Sequence, residues 1–176
     1  MNSESKTDLI VFSLDTFNAH KLRTSTVVTN LAQKRRVYYI ETPVTGVSTF
    51  ATYFLQKNDD DITVVKPYLP GDISVFEQKA LLQDILHELM EEENITHYSI
   101  WTDTPRAMPF IRDLTPEYLI YDCLVDHSQT HPALEREMFK RAHVVITSGL
   151  QEKNQMAFHR GFFGEVKSPA PDLVWN

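Results

Sequence analysis

Glycine is scarce in this chain. Five glycines stand among 176 residues, and none falls in Ser13-Leu14-Asp15-Thr16-Phe17, the stretch that follows the first apolar run. A G-x-G-x-x-G turn lets backbone approach a pyrophosphate closely, so its absence argues against a nucleotide gripped at that turn. Cysteine is scarcer still. Cys123 stands alone, which rules out an internal disulfide and suits a reducing compartment. It follows an apolar run and reads as a small core residue rather than a nucleophile. No run approaches the ~20 apolar residues of a membrane span, and Met1 to Asp8 carry no apolar signal core. Positive charge is short too: the formal net charge is −7. The longest basic cluster, Lys34-Arg35-Arg36, reads as a helix-to-strand junction, where cations meet the negative helix end. A phosphate-tracking surface needs many clustered cations, so nucleic acid is not an expected partner. The expected address is cytoplasmic, peripheral to a membrane only through a partner.

What is present is a run of short β-branched and aromatic segments alternating with helical patterns. Leu9 to Phe12, Val37 to Ile40, Ile62 to Val65, Tyr98 to Trp101, Tyr118 to Tyr121 and Val144 to Thr147 read as strands covered on both faces. Phe163 to Lys167 is a weak seventh. Between them, Leu22 to Leu31, a long stretch through Leu81 to Met90 capped by Asp72 or Ser74, Pro105 to Asp113, Leu134 to Ala142 and Gln151 to His159 read as helices. Val44 to Asn58 has no clear period and is expected to be an irregular or short helical excursion, and Pro67 and Pro70-Gly71 are expected to break the third strand. The alternation implies an α/β fold: a Rossmann-like, mostly parallel sheet of about six or seven strands with helices on both faces. One domain over residues 1–167 and a proline-containing tail over 168–176 are expected.

In an open parallel sheet, ligands lie outside the C-terminal strand ends, near the switch in strand order. The residues there are polar: Asp15 after the first strand, Glu41 after the second, Asp103 after the fourth, Asp122 and Asp126-His127 after the fifth, Ser148 after the sixth. Carboxylates around one crevice suit a general base that takes a proton from a hydroxyl. Each acid also suits the cap of the helix that follows it. Asp103 and Asp126 are the least cap-like, because loop follows each. His127 and His131 are four apart, a zinc spacing on a helix, but Pro132 and the loop around them favour a solvated loop. Ser148-Gly149 lacks the flanks of a nucleophile elbow.

Several segments together resemble a known family. Asp8-Leu-Ile-Val-Phe-Ser13 through Arg36-Val-Tyr-Tyr-Ile-Glu41-Thr-Pro43, then Trp101-Thr-Asp-Thr-Pro105, then Tyr121-Asp-Cys-Leu-Val-Asp126 with Met138-Phe-Lys-Arg-Ala142 to Gly149, resemble the N-terminal domain of bacterial GT-B glycosyltransferases of the surface-polysaccharide and teichuronic-acid type. Two places depart from that pattern. Phe17-Asn18 and Leu22 to Thr26 replace a Trp-Asp and a Gln-Arg-Pro-x-His stretch, of which Arg23 survives. One acid is displaced in the Tyr121 to Asp126 block.

The resemblance implies one half of a GT-B fold, in which this half holds the acceptor. It implies no cofactor of its own and no obligatory metal, the nucleotide-sugar donor binding a second domain for which the tail would begin the linker. A sugar or lipid-linked glycan hydroxyl would then sit by Asp15, Glu41, Asp103, Asp122 and Asp126-His127. Asp103, Asp126 and His127 would form the catalytic group, and Arg23 would steer an anion. Expected partners are the acceptor and a separate donor domain or a second copy. Two alternatives stay open: a non-catalytic relic that docks a partner, and an unrelated small-molecule binder of the same shape.

Overall fold

The computed structural model describes residues 7–17, 23–123, 125 and 127–147. The expected helix at Gln151 to His159, the strand at Phe163 to Lys167, the tail over 168–176, Ser148 and Asp126 lie outside the described residues.

The first strand, β1 (Asp8–Phe12), is the axis of the fold. It pairs in parallel with β2 (Val37–Ile40) on one side and with β6 (Tyr98–Thr102) on the other. Leu9 to Phe12 are at most 1% exposed, as a continuous apolar run requires when both faces are covered. Burial of each such side chain is worth about 1.5–3 kcal/mol. Beyond β2 lies β5 (Ile62–Leu69), and beyond β6 lie β7 (Leu119–Cys123) and β8 (Val144–Thr147). The core order β5-β2-β1-β6-β7-β8 reverses direction between β1 and β6. That is a Rossmann-like doubly wound sheet, and in such sheets the ligand crevice lies at the C-terminal ends of the two strands where the order reverses.

Helices cover both faces unequally. Helix α1 (Arg23–Ala32) packs Val28, Leu31 and Ala32 against Leu9, Val11, Tyr39, Val64 and Trp101. On the other face, α2 (Val75–Glu92), α3 (Met108–Ile111) and α4 (Pro132–Arg141) bring Leu86, Leu89, Met108, Ile111, Met138 and Phe139 against Ile10, Phe12, Ile40 and Tyr121. Ser74 starts α2 with a reciprocal capping box to Glu77, the pattern that satisfies two otherwise orphaned N–H groups. A short 3-10 turn, Pro105–Ala107, leads into α3.

Val44 to Asn58 is not an irregular or helical excursion. It holds β3 (Val44–Thr45) and β4 (Thr52–Lys57), which bring the sheet to eight strands among the described residues. Strand β4 runs antiparallel to β5 as the outer edge. Asn58 closes the hairpin, its Oδ1 accepting from the backbone N–H groups of Asp60 and Ile62 at 3.1 and 2.9 Å. The strand showed no period because the edge buries neither face: Phe54 to Lys57 are all exposed. Pro67 does not break β5 either. The carbonyls of Val65 and Leu69 accept from Glu41 and Gly46 on the β2–β3 flank, so residue 67 faces that flank too. It falls between the pairings of Ile40 and Val44, where no partner asks for an N–H.

The fold's other face is tied by Arg112, after α3, whose Nε and Nη2 each donate to the Glu137 carboxylate of α4 at 2.7 Å. This fork holds the Glu137 carboxyl below its ordinary range. Its contribution is therefore complete above that range and is lost as pH falls through the depressed value. Glu137→Gln is expected to cost at most about 1 kcal/mol near neutral pH, because both groups are partly exposed. Urea unfolding should show that difference shrinking as pH falls below the ordinary carboxylate range.

Candidate functional site

Continuing the parallel registers by one residue, past the ends of β2, β1 and β6 but still within β7, where Asp122 lies inside the strand rather than after it, sets a single lateral row. Ile40 pairs with Phe12, Phe12 with Thr102, and Thr102 with Tyr121. The next positions are Glu41, Ser13, Asp103 and Asp122. Because side chains alternate along a strand, all four belong to the face that carries Tyr39, Val11, Trp101 and Ile120, the face covered by α1. The row crosses the crevice between β1 and β6. There the Ser13 hydroxyl donates to Asp103 Oδ2 at 2.9 Å.

The loop after β1 shapes the crevice. Leu14 takes a left-handed backbone, φ 55°, with its side chain buried against the α2 face. Such a conformation costs a non-glycine residue about 1 kcal/mol or more. The Thr42 hydroxyl, donating to the Leu14 carbonyl, braces it. The turn that in a phosphate-gripping domain carries glycine is thus made here by a packed leucine. Glu41, 8% exposed, accepts the backbone N–H of Phe17 at 2.7 Å, which fixes the loop on its way to α1. Phe17 in turn packs edge-on against Tyr39, ring centroids 4.9 Å apart.

Two buried donors lie on the same face. Tyr39 is fully buried and Trp101 is 2% exposed, and neither Tyr39 Oη nor Trp101 Nε1 meets an acceptor among the described residues. Buried polar atoms are nearly always paired with protein or ordered solvent, so such a pair marks a place where a polar group belongs. Burial pushes the Tyr39 hydroxyl up to about 12, with the carboxylates of Asp103, Asp15 and Glu41 adding to the shift and the nearby Ser13 hydroxyl opposing it.

Of the residues singled out from sequence, Asp15, Glu41 and Asp103 come together around Ser13 and Tyr39, and Asp122, fully buried, continues their row. Arg23 opens α1; its side chain lies outside the description, as does Asp126. His127 is tied elsewhere. Its backbone N–H donates to Glu135 at 3.0 Å, and Glu135, 1% exposed on α4, also accepts from Tyr121. Those groups belong to the α4 face, whereas Asp103 belongs to the α1 face. The His127 and His131 rings sit edge to face at 6.2 Å, and among the described residues no group of three or more His, Cys, Asp or Glu is placed to hold a metal. The cap reading is also decided for Asp103: the following turn is capped by Thr104, whose Oγ1 accepts the Arg106 N–H at 3.3 Å.

Ser13 and Tyr39 were not singled out from sequence. Both were accessible there, Ser13 as the residue ending the first strand and Tyr39 as two before Glu41 on the same face. Glu135 carries no such signal, since a buried carboxylate inside an amphipathic helix reads as solvent-facing. The chain matches no protein-family model and no curated protein. No helix among the described residues is long and apolar enough to cross a membrane.

The raised Tyr39 value fixes a sign for alkaline stability. An unfolded tyrosine ionises near 10 while folded Tyr39 keeps its proton to about 12. Stability is therefore complete below about pH 10 and falls as pH climbs between those values. Tyr39→Phe should flatten that decline, as read from urea midpoints at about pH 9 and pH 11. An unchanged slope in the variant would place the alkaline loss in the other tyrosines.

Proposed function

We propose that this chain is the acceptor-binding domain of a sugar-transferring enzyme of the GT-B kind, the nucleotide-sugar donor being held by a second domain. The observation that carries the reading is the polar row Glu41–Ser13–Asp103–Asp122 at the switch crevice. Transfer to a hydroxyl requires that the hydroxyl lose its proton as its oxygen bonds to the sugar carbon. Asp103, aligned by Ser13, is the base in this reading, and the exposed Asp15 accepts from a neighbouring hydroxyl. Carboxylate and hydroxyl groups on one aromatic-lined face suit a polyol. The packed Leu14 turn supports placing the donor's phosphates elsewhere.

A second reading, a domain that docks a partner without catalysing, is favoured by one feature. Val44, Val47, Phe50, Val75 and Phe76 are exposed by 43–82%. All follow the C-terminal ends of β2 and β5, the same end as the polar row. Gly46 and Gly71 draw the two loops together, since a Cβ on Gly71 would meet the Gly46 Cα at 3.2 Å. An apolar rim of this kind suits a second domain or a second copy.

Calorimetric titration with a panel of neutral and acidic oligosaccharides tests the first reading. Binding should weaken about tenfold in Asp103→Asn and by several-fold in Ser13→Ala, about 1.4 kcal/mol for the former. The isolated chain should show no transfer from any nucleotide sugar, and turnover by it alone would overturn the division of labour. Absence of saccharide binding, with light scattering that shows dimers growing with concentration, would favour the docking reading instead.

A further inference from the structure

The opposite end of the sheet carries the reverse charge. A recess of about 560 Å³ opens at the N-terminal ends of β2 and β5, lined among others by Lys34, Arg35, Arg36, Tyr38, Lys57 and Thr63. Its volume falls within the range of small-molecule sites. Four cations line it against two carboxylates, Asp61 and Glu93, in a chain whose net charge is −7.

The cations divide into two kinds. Arg36 is fully engaged: it forks onto Asp8 at 2.8 and 2.5 Å and donates to the Glu93 carbonyl at 2.9 Å, at the end of α2. Lys57 pairs with Asp61 at 2.6 Å, and Glu93 accepts from the Tyr38 hydroxyl at 2.8 Å. Lys34 and Arg35 have no such partner. Their backbone N–H groups close the end of α1 on the Leu31 carbonyl, but neither side chain meets a carboxylate among the described residues, and Arg35 Nε is buried with no acceptor. Complementing the negative helix ends accounts for Arg36. It leaves the Arg35 donor unmet, and a buried unmet donor beside an open cationic recess asks for an anion.

We propose that this recess binds a phosphate-bearing small molecule, with Lys34 and Arg35 supplying its charge complement. The site stands at the other end of the sheet from the polar row and does not depend on the sugar-transfer reading. The shared chemistry is a phosphate group, whether on a free metabolite or on a lipid headgroup.

Inorganic pyrophosphate is the probe, titrated into the chain calorimetrically at low ionic strength and followed by amide shifts. Saturable binding is expected, with shifts at Val37 and Thr63, and an affinity loss of about tenfold or more in Lys34→Ala/Arg35→Ala. Arg106→Ala removes an exposed cation at the far end of the sheet and should leave affinity within about twofold. Lys34→Ala alone, an exposed position, serves as a second variant and should lose several-fold in affinity with an unaltered melting curve. A parallel arm uses phosphatidylglycerol vesicles: sedimentation that needs Lys34 and Arg35, without pyrophosphate binding, assigns the phosphate to a headgroup. No saturable binding in either arm, or an equal loss in Arg106→Ala, overturns the proposal.

Discussion

Parallel pairing of β1 with β2 on one side and β6 on the other is the constraint from which the site takes its geometry. A one-residue slip of any of these strands would turn its apolar set from one covered face to the other. Leu9 and Val11 are packed into one cluster and Ile10 and Phe12 into the other, so such a slip would unseat all four from their neighbours. Once the register is fixed, the residue after each strand has no freedom of face. Glu41, Ser13 and Asp103 are therefore delivered side by side to the face of α1. The Ser13–Asp103 hydrogen bond follows from that alignment rather than causing it.

The acidic residues around the crevice do different work, and their partners separate them. Glu41 is committed to a backbone N–H and shapes the approach to α1. Glu135, on the opposite face, is committed to the backbone of His127 and to Tyr121. Asp103 accepts the Ser13 hydroxyl and, unlike Glu41 and Glu135, is only half-buried. A buried carboxylate that holds backbone is part of the scaffold; one that a substrate hydroxyl can approach is suited to take its proton. This distinction is what lifts Asp103 above the others.

The doubly wound sheet was legible because continuous apolar runs and amphipathic stretches are dictated by burial, and burial is what sequence records best. Asp15, Glu41 and Asp103 were legible for a related reason: the rule that ligands lie beyond strand C-termini needs only the strand ends, whereas Asp122 proved to lie inside β7. Strand β4 was not legible, since an edge strand with both faces open leaves no alternation to read. The separation of His127 from Asp103 was not legible either. It depends on the parity of β7, which sends Tyr121 and Cys123 to the α4 face and Ile120 and Asp122 to the α1 face, and strand ends inferred from sequence are uncertain by more than the one residue that decides it.

The two ends of the sheet carry opposite charge for a reason that precedes any ligand. Crossover helices in a parallel sheet run back against the strands, so their positive N-termini gather at the strand C-termini and their negative C-termini at the other end. Acids at the first end and Lys34, Arg35 and Arg36 at the second complement that field. The field explains the sign at each end but asks only for proximity. It does not explain a hydroxyl locked onto a carboxylate across the crevice, nor a buried guanidinium nitrogen without an acceptor. Those two arrangements exceed what dipole complementarity requires, and they are the reason for reading one end of the sheet as a place for hydroxyls and the other as a place for an anion.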